Sequence, residues 1–431
     1  MLSLEDALQR MLEGVEPLPA EEVALGDALG RVLAAPISSR LTLPPWDNSA
    51  MDGFALRADD VALASRREPR SLRVTGESAA GHPAGVTVGG GTAVRILTGA
   101  PLPEGADAVA PVEDTDAFGP DAAPADAPTV QVYRPAVTGA HIRRAGSDVR
   151  PGYPLLDAGE VLSPAALAVC AAGGYAMLPL HGRPRVAVLA TGDELVPPGS
   201  ALGEAQIPDS NSVGLLAQAT EAGAEAYSLG IAGDRLDAVL DSLRSALGRA
   251  DMVVVSGGVS VGLHDVVKEA FERIGRLELW RVAVQPGKPL AFARVPRPAD
   301  GAATDRPPDG QVLLFGLPGN PVSSFVTFEL FVRPVLRRLA GRREMSGREV
   351  VRARLSEKVS KARDRRAFLR VMLARNGEDG EWQASLAGGQ GSHVLSALAA
   401  ADGLAIVPEE QESLEEGAHV EVIRLREAGS R

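Results

Sequence analysis

Val253-Val254-Val255-Ser256-Gly257-Gly258-Val259-Ser260-Val261-Gly262 is the stretch on which the fold turns. The apolar run Met252 to Val255 reads as a strand buried on both faces, the signature of a parallel sheet. The serine and paired glycines after it read as a turn, and a helix follows to Ile274. A turn of this kind lets backbone N–H groups converge beside a helix N-terminus, so its natural occupant is a phosphate or another oxyanion. It is neither G-x-G-x-x-G nor a Walker A loop. A Gly-Gly pair is also what any tight turn uses, so both readings stand at this point. Asp265 and Lys268 follow; the first suits a helix cap or a cation, the second a phosphate.

The same grammar extends on both sides. Val186 to Ala190, Glu225 to Gly230 and Leu313 to Phe315 are short apolar runs. Ser212 to Ala222, Leu236 to Leu247 and Pro321 to Leu339 carry helical patterns between and after them. Strands alternating with helices predict βαβ units and a mostly parallel sheet covered on both faces. Leu317-Pro318-Gly319-Asn320-Pro321-Val322-Ser323 repeats the strand–turn–helix plan, with Asn320 placed as N-cap and Pro321 in the first turn. Ligands of open α/β sheets sit at the carboxyl ends of strands. That edge also collects Thr191-Gly192-Asp193-Glu194, Asp209-Ser210-Asn211-Ser212 and Gln285-Pro286-Gly287-Lys288.

Outside 181–342 the patterns change. Residues 1 to about 40 read as helical, with a second helix over Glu22 to Ala34. Residues 45–145 are β-rich, with Asp116 to Pro128 as a surface loop. Five strand-like runs after 343 (350–355, 368–373, 382–386, 403–407 and 419–423) predict a small β-barrel or sandwich. Pro296 to Gly310 is a low-complexity loop. The predicted division is 1–44 with 146–180, then 45–145, 181–342 and 343–431, four units in 431 residues.

Composition excludes several classes. The net charge of −12 argues against non-specific nucleic-acid binding. Arg342 to Arg375 runs the other way, with twelve basic residues against four acidic, and reads first as a solvated charged face. Cys170 is the only cysteine, so an intramolecular disulfide or a multi-cysteine metal site is impossible. The six histidines form no metalloprotease pair. Val161 to Leu180 is uncharged and long enough to span a bilayer. Pro164, Gly173, Gly174 and Pro179 make it a buried helix followed by a turn instead. With no secretory signal pattern at its start, the chain reads as a soluble cytoplasmic protein.

Seven ordered segments carry a resemblance across essentially the whole chain. They are Pro44-Pro45-Trp46-Asp47-Asn48-Ser49-Ala50-Met51-Asp52-Gly53-Phe54-Ala55, Thr98 to Val109, Gly146-Ser147-Asp148, Ala190 to Leu195, Ser256 to Gly262, Pro286 to Pro289 and Gly316 to Ser323. In these the sequence resembles the MoeA family of molybdopterin molybdenumtransferases, to which the E-domain of gephyrin belongs. The resemblance implies an α/β and β multidomain protein. Its parts would be a molybdopterin-binding α/β/α domain with a parallel-type sheet, N-terminal helical and β-rich domains, and a C-terminal β-barrel. It implies a homodimer with the active site in a cleft between the α/β domain of one subunit and the β-rich domain of the other. The implied reaction takes adenylylated molybdopterin and molybdate with Mg2+, releases AMP and gives molybdenum cofactor. Molybdopterin adenylyltransferase and recipient molybdoenzymes are the implied protein partners.

By resemblance the catalytic positions are Asp52, Thr98, Asp148, Glu194, Asp234 and Asp265, with Glu194, Asp234 and Asp265 near Mg2+. The substrate-binding positions are Ser256, Gly257, Gly258, Ser260, Lys268, Lys288, Pro318, Gly319, Asn320 and Ser323. Leu263 and Gln285 depart from the pattern: many relatives have a polar residue at the first and a lysine at the second. Arg281 stands where lysine is common. Two other readings are a non-catalytic scaffold, against which Asp52, Glu194 and Asp265 speak, and a molybdopterin adenylyltransferase. Adenylyltransferases are single-domain chains or separate fused domains, unlike this one.

Overall fold

The computed structural model describes residues 1–120, 122–258, 266–298, 310–375 and 380–426. Its centre is a six-stranded sheet. The strand order is Glu225–Ala232, Arg185–Thr191, Met252–Ser256, Gln311–Leu317, Pro289–Pro296, Arg276–Arg281. The first four are parallel; Pro289–Pro296 pairs antiparallel with Gln311–Leu317 on one side and with Arg276–Arg281, the edge strand, on the other. Val253, Val254 and Val255 are wholly buried, as a strand covered on both faces requires.

The period-2 alternation of strand side chains divides the core. Val186, Val188, Met252, Val254, Leu313 and Phe315 face the helix Ser210–Glu221 and the helical run that starts at Pro321. Ala187, Leu189, Val253, Val255, Val312 and Leu314 face the helices Leu236–Leu247 and Val266–Ile274. Helix Leu236–Leu247 buries Val239, Leu240, Leu243, Ala246 and Leu247, one stripe at helical spacing. The strand Arg185–Thr191 thus leads to a helix on one face, and its neighbour Met252–Ser256 leads to one on the other. The connections diverge between them, which opens a crevice at the carboxyl edge.

Residues 45–145 build a five-stranded sheet in the order Ala108–Pro111, Gly53–Leu56, Thr92–Ile96, Arg70–Ser78, Thr129–Val132, with a core on each face. The C-terminal strands form a closed barrel: Arg366–Arg375, Trp382–Leu386, Val350–Leu355, His419–Arg424 and Gly403–Val407, which pairs back to Arg366–Arg375. The expected barrel is therefore present.

The first 40 residues depart from expectation. Helix Leu4–Leu12 is there, capped by Ser3, whose hydroxyl accepts from the Asp6 amide at 3.0 Å. No helix covers Glu22 to Ala34. Ala20–Ala24 is a strand paired antiparallel with Met177–His181, followed by one 3-10 turn, Leu25–Asp27. Gly26 and Gly30, the latter at φ 72°, weaken a helix, and a distant strand supplies the backbone partners instead. Within Val161 to Leu180 a helix, Pro164–Ala172, precedes that partner strand. Among the described residues no helix is long and apolar enough to cross a membrane.

The basic stretch is absorbed internally. Arg342 and Arg343 donate to the carbonyls of Gly30 and Ala158. Arg348 binds Glu221 and Glu329, Arg354 binds Glu381, Lys358 binds Glu415, and Arg366 binds Glu409 and Glu5. The solvated-face expectation fits only part of the stretch: Arg343, Arg352, Arg354, Lys358, Arg363 and Arg375 are exposed, whereas Arg370 is buried and Arg348 half-buried.

Candidate active site

Two turns meet at the crevice. Gly257 (φ 96°) and Gly258 (φ 62°) lie in the left-handed region, where glycine carries no steric cost. A Cβ on Gly257 would strike the Thr191 carbonyl, and one on Gly258 would come within 2.6 Å of Val267 Cγ2. The Gly257 amide donates to the Leu317 carbonyl at 3.1 Å, extending the ladder one residue past the strand ends. Gly319 lies against Gly257: its missing Cβ would sit 3.6 Å from Gly257 Cα. The two turns are thus in contact, with Ser256, Gly257 and Pro318 buried and Gly319 and Asn320 exposed.

The helix after the second turn, Pro321–Thr327, continues through a π turn, Phe328–Val332, into Arg333–Leu339. Pro321 opens it as expected. Asn320 is the N-cap residue by position, but its side chain makes no cap hydrogen bond. Val322 donates its amide to the Ser392 carbonyl of the barrel at 3.1 Å. The amides of Asn320 and Ser323 have no partner among the described residues, so they are the donors this terminus offers an oxyanion.

Lys288 comes from Pro286-Gly287-Lys288. Gly287 (φ 113°) packs so closely on Thr327 that a Cβ would overlap its methyl, and it stands 3.7 Å from the Ser323 carbonyl by the same measure. The loop of Lys288 therefore rests on the helix of Ser323. Lys288 is half-buried and pairs with no carboxylate among the described residues. Gln285 is engaged elsewhere. Its Oε1 accepts from the Ala362 amide at 3.3 Å, and Val284–Gln285 pairs with Arg366–Ala367. It ties the sheet to the barrel, which explains part of what this departure does.

Three carboxylates lie over the adjacent ends of Arg185–Thr191 and Glu225–Ala232. Glu194 folds back over Gly192, where a Cβ would be 2.5 Å from its Oε2. Asp193 Oδ1 accepts from the Asp234 amide at 3.1 Å. Glu194 and Asp234 are exposed. Asp193 links the two turns, a role that sequence reasoning misses although the residue adjoins Glu194. Asp265 and Ser260, like Leu263, lie outside the described residues. Among the described residues no group of three or more His, Cys, Asp or Glu side chains converges as a metal site. Lys268 sits on helix Val266–Ile274 with its ammonium 3.6 Å from Glu272.

A second cluster stands in the β-rich part. The Thr98 amide and hydroxyl both donate to Asp52 Oδ1, at 2.7 Å each. These bonds, with Arg95 adding a smaller attraction, hold the Asp52 carboxyl below its ordinary pKa. Asp148 is exposed beside the bridge between Leu43 and Val149, and its amide donates to the Leu43 carbonyl. The nearby Asp47 instead holds Arg144, at 2.6 Å. The hydrogen bonds and ion pairs described for residues 45–145 run among themselves or to Ser147. Among the described bonds none joins Asp52 to the glycine turns.

A doubly covered α/β sheet with two glycine turns at its carboxyl edge is the layout of an open-sheet ligand-binding domain, and comparison gives the family. Residues 2–174 match the MoeA N-terminal region (domain I and II), residues 187–338 a probable molybdopterin binding domain, and residues 352–425 the MoeA C-terminal region (domain IV). Molybdopterin molybdenumtransferase 2 of Mycobacterium tuberculosis (strain H37Rv) is 39% identical over 412 residues, covering 93% of this chain and 94% of the relative. Molybdopterin molybdenumtransferase of Bacillus subtilis (strain 168) is 33% identical over 427 residues, 99% and 94% of the two chains. The crystal structure of the molybdopterin biosynthesis MoeA protein from Pyrococcus horikosii superposes with a TM-score of 0.79 at 34% identity, covering 99% of this chain and all of that one. The chain belongs to the MoeA family.

Proposed function

We propose that this protein transfers molybdenum from molybdate to adenylylated molybdopterin, with release of AMP. The observation that carries the reading is the pair of interlocked turns at the crevice, with the loop of Lys288 packed on the helix that follows the second turn. The amides of Asn320 and Ser323, without a partner among the described residues, and a lysine ammonium suit the phosphate groups of an adenylylated substrate. Asp52, ionised at neutral pH, only accepts; it would orient a donor group of the substrate or a water. The reading includes a cytoplasmic homodimer in which Asp52 of the partner subunit faces the cradle. Its support is that the described bonds of residues 45–145 close on themselves or reach Ser147, and none joins Asp52 to the cradle of its own chain.

Mg2+ fits the site in donor type. Glu194 and Asp234 offer the carboxylate oxygens it takes, and substrate phosphates and water would complete its shell. When bound, the ion supplies charge neutralisation at the phosphates. Lys288 and the turn amides hold those phosphates, and the buried floor of Ser256 and Leu317 keeps water from beneath them.

The purified protein, given adenylylated molybdopterin, molybdate and Mg2+, is expected to release AMP only when molybdate is present. Tight binding of the adenylylated substrate without AMP release would replace this reading with that of a carrier.

A further inference from the structure

Asn211 lies at the start of helix Ser210–Glu221, where the capping work is already done: Asp209 Oδ1 accepts from the Ser212 amide at 3.0 Å. Its side-chain amide is thus free for other partners, and both of its hydrogens cross the crevice. One bond goes to Ser256 Oγ at 2.8 Å, the other to the Gly319 carbonyl at 2.7 Å. These acceptors belong to the two different turns, at the ends of two adjacent parallel strands.

Each bond has a directional consequence. In a trans peptide the carbonyl of one residue and the N–H of the next point opposite ways. Holding the Gly319 carbonyl toward Asn211 therefore turns the Asn320 N–H, which has no partner among the described residues, away from Asn211. At Ser256, accepting from Asn211 occupies one lone pair and fixes the hydroxyl rotor. The hydroxyl proton, on a residue only 1% exposed, has no acceptor among the described residues. Both effects orient donors before any ligand arrives, which is where preorganisation gains affinity.

We propose that Asn211 is a positioning residue that presets the two turns for the phosphate groups of the adenylylated substrate. This rests on the phosphate-cradle reading of the two turns and deepens it. Asn211 acts through Ser256 and Gly319, so its loss reaches the phosphate and spares the rest of the ligand.

The test uses the full chain with AMP and adenosine as probes, binding measured by calorimetry. Asn211→Ala removes both bonds. Asn211→Asp keeps the shape and removes the donors. Asn211→Ser, smaller and uncharged, serves if the added charge disturbs folding. The wild type is expected to prefer AMP to adenosine. In each variant AMP affinity falls about tenfold or more, as the loss of two hydrogen bonds implies, and adenosine affinity holds. An equal loss for both ligands, or no loss for either, overturns the role of Asn211. A wild type with no preference for AMP overturns the cradle reading, and this proposal with it.

Discussion

Thr98 grips a single oxygen of Asp52: its amide and its hydroxyl both reach Oδ1, each at 2.7 Å. The carboxylate is thereby oriented and kept ionised, since hydrogen bonds to the charged form lower a pKa. A group with a depressed pKa is active above that pKa and fails as pH falls through it. AMP release should therefore show little loss from Asp52 at any pH above about 5, a unit above the ordinary aspartate value of about 3.9. Thr98→Val removes the hydroxyl bond and leaves the amide, so the acid limb of the pH–rate profile moves to higher pH. Asp52→Asn should lower the rate at neutral pH by about a hundredfold or more, in the range of a lost positioned acid–base group. A flat response to Asp52→Asn would remove it from the machinery.

Lys288 tests the cradle from its charged side. Its loop is wedged on Thr327 through Gly287, and no carboxylate among the described residues competes for it. Lys288→Met keeps the apolar stem and drops the charge. A charge-assisted bond contributes about 1.5–3 kcal/mol, so KM for the adenylylated substrate should rise about ten- to hundredfold. Lys288→Arg should recover part of that. Steady-state AMP release at varied substrate reads both.

The parallel strands and their helices are legible in the sequence because local pattern decides them. Met252–Ser256 and Leu236–Leu247 carry their burial in their own spacing. The glycine turns are legible for the same reason: positive φ strongly favours glycine. What escapes is non-local. Ala20–Ala24 becomes a strand only because Met177–His181 lies beside it. The antiparallel edge strands and the closure of the barrel depend likewise on partners far along the chain. Asn211 shows the limit most plainly, since its two acceptors are 45 and 108 residues away and no period points to them. Asp52 and Thr98 are reached through family resemblance alone, because an Asp and a Thr 46 residues apart have no spacing rule.

Two glycines make a paired test of close packing. Gly287→Ala forces a Cβ into the Thr327 methyl at φ 113°. Strain of this kind costs about 1–3 kcal/mol, and the Lys288 loop should shift, so AMP binding weakens together with stability. Gly214 lies inside helix Ser210–Glu221, and a Cβ there meets nothing within 4 Å. Gly214→Ala should stabilise by about 1 kcal/mol through helix propensity. Urea denaturation of both variants reads the two signs. A destabilising Gly214→Ala would show that the helix needs flexibility at that turn.

The ion network behind the cradle predicts how the fold responds to acid. Glu329 lies in the π turn, 1% exposed at its side chain, and receives Arg333 at 2.7 Å, Arg348 at 3.0 Å and Gln218 at 2.8 Å. Both arginines also reach Glu221, and Arg348 donates to the Leu425 carbonyl, which ties the barrel to the sheet domain. Burial alone would raise the Glu329 pKa; the bonds from Arg348 and Arg333 outweigh it and hold it low. Because the folded value lies below the unfolded one, its stabilisation is present above the ordinary glutamate pKa of about 4.3 and is lost as pH falls through the folded value. The denaturant midpoint should therefore be insensitive to Glu329 above about pH 5 and decline below about pH 4. Glu329→Gln keeps the shape but leaves Arg333 and Arg348 with Glu221 alone. Breaking a buried pair costs about 3–5 kcal/mol, so this variant should unfold at markedly lower urea at pH 7. It should also lose part of the acid slope, since the titrating group is gone. A variant with wild-type stability at pH 7 would mean that the arginines are satisfied without Glu329, and that the tie between sheet and barrel lies elsewhere.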